Sequence, residues 1–79
     1  MKPPVKPDQQ FAATVLRLRK ERGITQEELA YETDLAISAM ARIERGQSNP
    51  RWTTVLAITG ALGITLRDLA HAIEGQVRP

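Results

Sequence analysis

The sequence predicts an all-α fold of five short helices, and three observations carry that prediction. Apolar residues recur at three- and four-residue steps along most of the chain, the spacing of one helix face. Gly23, Gly46 and Gly63 each close such a stretch, where a left-handed helix stop belongs. Strand-type alternation, and Val/Ile-rich runs bounded by turns, do not occur. At 79 residues the chain makes one small domain. Such a domain buries only about 60–65% of its unfolded surface, so marginal stability is expected of the monomer.

Each element has its own local reason. Pro3, Pro4 and Pro7 lack N–H donors and exclude helix and sheet interior, so residues 1–7, with Lys2 and Lys6, read as a flexible basic arm. Asp8 suits an N-cap, and Phe11, Val15 and Leu18 then mark a helix that runs down to Gly23. Its last turn is basic, through Arg19, Lys20 and Arg22, as the helix dipole prefers. Thr25 and Glu28 have capping-box spacing and open a second helix, Gln26 to about Thr33, with Leu29 and Ala30 inward. A third follows Asp34 and Leu35, from about Ile37 to Arg45, stopped by Gly46. Gln47, Ser48, Asn49 and Pro50 are turn residues. The fourth helix spans roughly Trp52 to Leu62 and carries Trp52, Val55, Leu56, Ile58 and Leu62. Thr65 and Asp68 repeat the capping-box spacing before a last helix through about Ile73. The domain is thus expected over residues 8–75, with a short tail over 76–79.

Composition narrows the function classes. The chain has no cysteine, which excludes a disulfide scaffold and thiolate ligands and suits a reducing cytoplasm. His71 is the one histidine and has no Asp, Glu or Cys at ligand spacing, so no metal or other cofactor is expected. No run approaches the ~18 apolar residues of a membrane span, and MKPPVKPDQQ lacks the apolar stretch of a signal peptide. No nucleophile, base and electrophile converge, so an enzyme is not expected. The net charge of +2 permits a nucleic-acid partner without demanding one.

The informative segment is GITQEELAYETDLAISAMARIERG, Gly23 to Gly46. Two short helices joined by a tight turn, one capped and the other stopped by glycine, are what a helix-turn-helix requires. In order along the chain, LRLRKERGITQEELA, ARIERGQSNP and VLAITGALGITLRDL resemble the Cro and phage-repressor type of helix-turn-helix protein, the XRE family. The resemblance covers about Val15 to Leu69. It implies a lambda-repressor-like domain that binds double-stranded DNA and acts in the cytoplasm as a transcriptional regulator, a repressor or autoregulator.

The resemblance also implies roles. Gln26, opening the second helix beside Thr25, takes the place of a glutamine that bonds a DNA phosphate and braces the recognition helix. A helix N-terminus attracts phosphate on physical grounds too, although Thr25 serves equally as a plain cap. Arg19 and Glu44 match a structural ion pair between the first and third helices. Base readout is expected from the outward side of the third helix: with Met40 and Ile43 inward, Ile37, Ser38, Ala41, Arg42 and Arg45 share the opposite side. The Arg42 guanidinium can give two hydrogen bonds to a guanine edge, Ser38 can meet a base or a phosphate, and Ile37 can pack on a thymine methyl. Arg45, Ser48, Asn49 and Arg51 lie where the family holds the DNA backbone, which positions without reading sequence.

Departures from the family bear on this reading. Ala36 stands where Ser or Thr usually caps the third helix, a loss of about 0.5–2 kcal/mol unless something substitutes. Ile37, Ala39 and Ala41 make the reading face poor in hydrogen-bonding groups. That fits readout through thymine methyls, Arg42 and DNA shape, or a surface turned toward a protein. Trp52 replaces a core aliphatic and is expected to pack. Tyr31 is expected to be a half-buried surface tyrosine, with a phosphate contact as the alternative. Glu27, Glu28, Glu32 and Asp34 are expected to form a solvated acidic face turned away from phosphates.

A single module buries only about 600–1,000 Å² on DNA, so a homodimer on an inverted repeat is expected. Leu66, Ala70, Ile73 and Val77 are its candidate surface. The rival classes are an antitoxin that binds a toxin and represses its own operon, and an interaction module that does not bind DNA.

Overall fold

The computed structural model describes residues 8–77 of the chain. These form α1 (Gln9–Glu21), α2 (Gln26–Glu32), α3 (Ile37–Glu44), α4 (Trp52–Leu62) and α5 (Leu66–Val77), and no strand occurs among them. The arm expected over residues 1–7 lies outside the described residues, as do residues 78 and 79 and the side chains of Gln76 and Val77.

The starts of the helices follow their caps. The Asp8 carboxylate accepts from the backbone N–H groups of Gln10 and Phe11 at 2.9 and 3.2 Å. Thr25 and Glu28 form a complete capping box, each side chain accepting from the other's backbone N–H at 3.0 Å. Thr65 and Asp68 repeat it at the start of α5. Both carboxyl groups are held below their ordinary pKa, first by the hydrogen bond from the threonine backbone N–H and then by the threonine side chain. Ala36 caps α3 with no side-chain bond, as its methyl requires.

Apolar faces from all five helices meet in one core. Val15 and Leu18 of α1, Leu29 and Ala30 of α2, Met40 of α3, Ile58 and Leu62 of α4 and Leu69 of α5 are buried together. α2 packs on α3 and α4, and α1 packs on α5 and α3. Two polar ties close the bundle over long sequence separations. Gln9 donates its amide to the Gly46 carbonyl at 2.8 Å, and Arg22 Nε donates to the Leu62 carbonyl at 2.8 Å. The second tie places a cation on the carbonyl end of α4, where the helix dipole favours it.

Three expectations are corrected. Trp52, expected to pack, is 59% exposed at the start of α4. That position lies beyond the part of the helix that faces the core, which Val55, Ile58 and Leu62 cover instead. Tyr31, expected to be half-buried, is 84% exposed, because Leu29 and Ala30 occupy the inward side of α2. α5 continues past Ile73 through Val77, one further turn, into the segment read as a tail. No single helix among the described residues is long and apolar enough to cross a membrane.

Candidate nucleic-acid interface

α2, the turn and α3 form the unit that presents the candidate side chains. The turn is made by Asp34, whose φ of 58° is left-handed. Aspartate tolerates this region better than most side chains. The reversal lets α3 lay Met40, Ile43 and Glu44 inward and leave its other side outward. Ile37, Ser38, Arg42 and Arg45 are exposed on that side and Ala41 is half-buried, the grouping expected of a reading face.

Beneath α3 lies a polar knot that fixes its position. Arg19 of α1 grips the Glu44 carboxylate with two hydrogen bonds, Nε to Oε2 at 2.6 Å and Nη2 to Oε1 at 3.0 Å. Its Nη1 also donates to the Ile24 carbonyl at 2.9 Å. Gln26, the first residue of α2, donates Nε2 to Glu44 Oε1 at 3.0 Å. One carboxylate therefore ties three helices. The pair is almost fully shielded, with side-chain exposures of 11% for Arg19 and 3% for Glu44. A pair this buried must be fully hydrogen-bonded to be tolerated, and this one is.

The far end of α3 opens onto a groove of about 540 Å³. Arg42, Ser48, Asn49, Arg51 and Thr53 line it, so α3, the following loop and the first turn of α4 contribute to one surface. Arg51 caps α4 without a side-chain bond. Two guanidinium groups lining one groove suit an anionic ligand. Arg45 is exposed and its Nε donates to the Gln47 side chain at 3.1 Å. Thr25 is exposed as the cap of α2, and Gln26 is half-buried beside it.

Asp34 departs from the acidic face to which it was assigned: it lines the groove together with Arg42 and Arg51. Its place in the turn, rather than on α2, brings it there. Glu27, Glu28 and Glu32 are exposed on α2. Of the candidate pairing residues, Leu66 and Ala70 are exposed, whereas Ile73 packs on the core.

Gln9 and Arg22 act here without having been singled out for these bonds from sequence. Each bonds a carbonyl of a distant element, and spacing along the chain carries no trace of that.

The model of a helix-turn-helix domain matches residues 10–72, most of the chain. The chain belongs to the helix-turn-helix family. Within it, the type is that of Cro and the phage repressors. The immunity repressor of Bacillus phage phi105 is 49% identical over 47 residues, covering 60% of this chain and 33% of that protein. Control protein C.MunI of Mycoplasma sp is 35% identical over 65 residues, covering 81% and 88% of the two chains. The transcriptional regulator DdrOP3 of Deinococcus deserti is 32% identical, and this helix-turn-helix chain spans 44% of its length. Among solved structures, the restriction-modification controller protein C.AhdI of Aeromonas hydrophila superposes with a TM-score of 0.74 at 34% identity. That match covers 77% of this chain and 92% of C.AhdI. C.Esp1396I, solved on a 25-base-pair operator site, shares the fold at a TM-score of 0.81 and 23% identity, over 87% and 91% of the chains.

Proposed function

We propose that this helix-turn-helix domain binds double-stranded DNA sequence-specifically and regulates transcription, as a homodimer on an inverted repeat and in the sense of a repressor or autoregulator. The observation that carries the reading is the two-sided character of α3. Its inner side is locked by Met40, Ile43 and the Glu44 knot, while Arg42 stands exposed on the outer side, flanked by a groove with Arg51. The names of the relatives, regulators and repressors, support it.

In this reading Arg42 and Ser38 meet base edges, while Ile37 and Ala41 offer apolar contact to thymine methyls. Thr25, Gln26, Arg45, Ser48, Asn49 and Arg51 hold the phosphates on either side. Leu66 and Ala70 of α5, with exposed Trp52 and Leu56 of α4, supply apolar surface for pairing.

Selection of bound duplexes from a random pool tests site, symmetry and spacing together. Two half-sites about 10 base pairs apart in inverted orientation are expected. Binding should weaken steeply with salt as counterions are released. Undetectable binding to every duplex at low salt would refute the proposal, and a stoichiometric protein partner without DNA binding would favour the antitoxin reading. Arg42→Ala should relax preference at one base pair, by about 1–3 kcal/mol of discrimination. A uniform loss across sequences would move Arg42 to the phosphates.

A further inference from the structure

We propose that α3 reads the C5 methyl group of pyrimidines through Ile37, so that 5-methylcytosine satisfies it as thymine does and methylation of cytosine strengthens the hold on DNA. The inference rests on the DNA-binding reading and names the base chemistry that the outer side of α3 selects. Ile37 is the first residue of α3 and is 50% exposed. Ala41 follows one turn later, half-buried, and extends the same apolar strip. Ser38, Arg42 and Arg45 are exposed beside it. An apolar side chain set among a hydroxyl and two cations suits an anionic, polar partner that offers one apolar feature where Ile37 arrives. The major groove has one such feature, the methyl group at C5 of a pyrimidine.

What the strip lacks decides what it can tell apart. Thymine and 5-methylcytosine share the C5 methyl group and differ at C4, where one has a carbonyl and the other an amino group. Ile37 and Ala41 have no side-chain donor or acceptor, so neither distinguishes the O4 acceptor of thymine from the N4–H donor of cytosine. Ser38, next along α3, has a hydroxyl that both donates and accepts, and it fits either base. The methyl group itself is left to be read, against its absence in uracil and in unmodified cytosine. The shortage of hydrogen-bonding groups on α3 is then a selectivity of its own kind.

The test uses the full chain and the duplex enriched from a random pool. Each pyrimidine of one half-site is made in turn as thymine, uracil, 5-methylcytosine or cytosine, opposite its matching purine. Two comparisons of Kd each remove one methyl group and nothing else: thymine with uracil, and 5-methylcytosine with cytosine. At the position met by Ile37 both removals should weaken binding about 4-fold, the factor for one buried methyl group. Ile37→Ala should bring both factors close to one at that position and leave the other positions as they were. Ile37 is half exposed and lies outside the buried core, so this variant should fold, and circular dichroism checks that it does.

Uracil that binds as well as thymine at every position would overturn the inference. So would 5-methylcytosine that binds no better than cytosine where thymine does better than uracil, because the base would then be read at C4. Methyl factors that survive Ile37→Ala would assign the contact to another residue and overturn it too. In each of these cases the duplex is still bound, and the DNA-binding reading stands. If no duplex is enriched or bound at low salt, that reading falls and the inference falls with it.

Discussion

Alanine at position 46 meets two obstacles at once. The backbone there is left-handed at φ +69°, and a Cβ would collide with the Gln9 amide that bonds the Gly46 carbonyl. Gly23 is equally left-handed at φ +66° but has open space around it. Gly23→Ala should therefore cost about 1–2 kcal/mol, the conformational penalty alone. Gly46→Ala should cost about 1 kcal/mol more, because the Gln9 hydrogen bond is lost as well. Urea unfolding of both variants checks the difference, and equal losses would show that Gln9 moves aside freely. At this scale sequence reasoning reached some residues and missed others for a definite reason. Glycine stops and threonine caps are local, so Gly46 and Thr25 are legible from their neighbours. Arg19 and Glu44 are 25 residues apart, and only resemblance to a family paired them. The exposure of Trp52 depends on the angle at which α4 enters the bundle, which periodicity does not encode.

The five helices differ in how they begin, and that difference sets where stability can be gained or lost. α3 lacks a side-chain cap, so Ala36→Ser should stabilise the domain by about 1 kcal/mol, measured as a higher urea midpoint at unchanged slope. No gain would mean that solvent already satisfies the first turn. α2 and α5 instead begin with carboxylates held below their ordinary pKa by hydrogen bonds that the unfolded chain lacks. The unfolded chain therefore takes up protons first as pH falls. The stabilisation from Glu28 and Asp68 is complete above about pH 5.5 and is lost as pH drops through the lowered values. Replacing both, by Glu28→Gln and Asp68→Asn, should flatten the decline in stability between about pH 5.5 and pH 3, as followed by urea unfolding across that range. An unchanged acid limb would assign the decline to other carboxylates. Element order and starts were readable because caps and periodicity are local signals. The end of α5 was not: Glu74 and Gly75 carry no apolar face, and the backbone nevertheless stays helical through Val77.

For the whole molecule, the near-neutral charge of +2 hides a division. Glu27, Glu28 and Glu32 sit on α2, while Arg42 and Arg51 line the groove beside α3. Pairing should be visible as well: if the exposed apolar residues Trp52, Leu56 and Leu66 are covered in a dimer, the melting temperature rises with protein concentration. A melting temperature independent of concentration, over a range where DNA binding is retained, would make each copy a separate reader. The two long-range ties bear on the order in which the chain assembles. Contacts between α2 and α3 are short in sequence, but Gln9 waits for Gly46, 37 residues later, and Arg22 for Leu62, 40 residues later. Closing loops of that length is slower than forming a helical pair. On a ribosome, the side chains that hold α3 and its glycine stop, Gln9, Arg19 and Gln26, are all made before α3 itself. Only the Arg22 guanidinium has to wait for a carbonyl made after α3 and its stop, so the bundle would close last where α4 ends at Leu62.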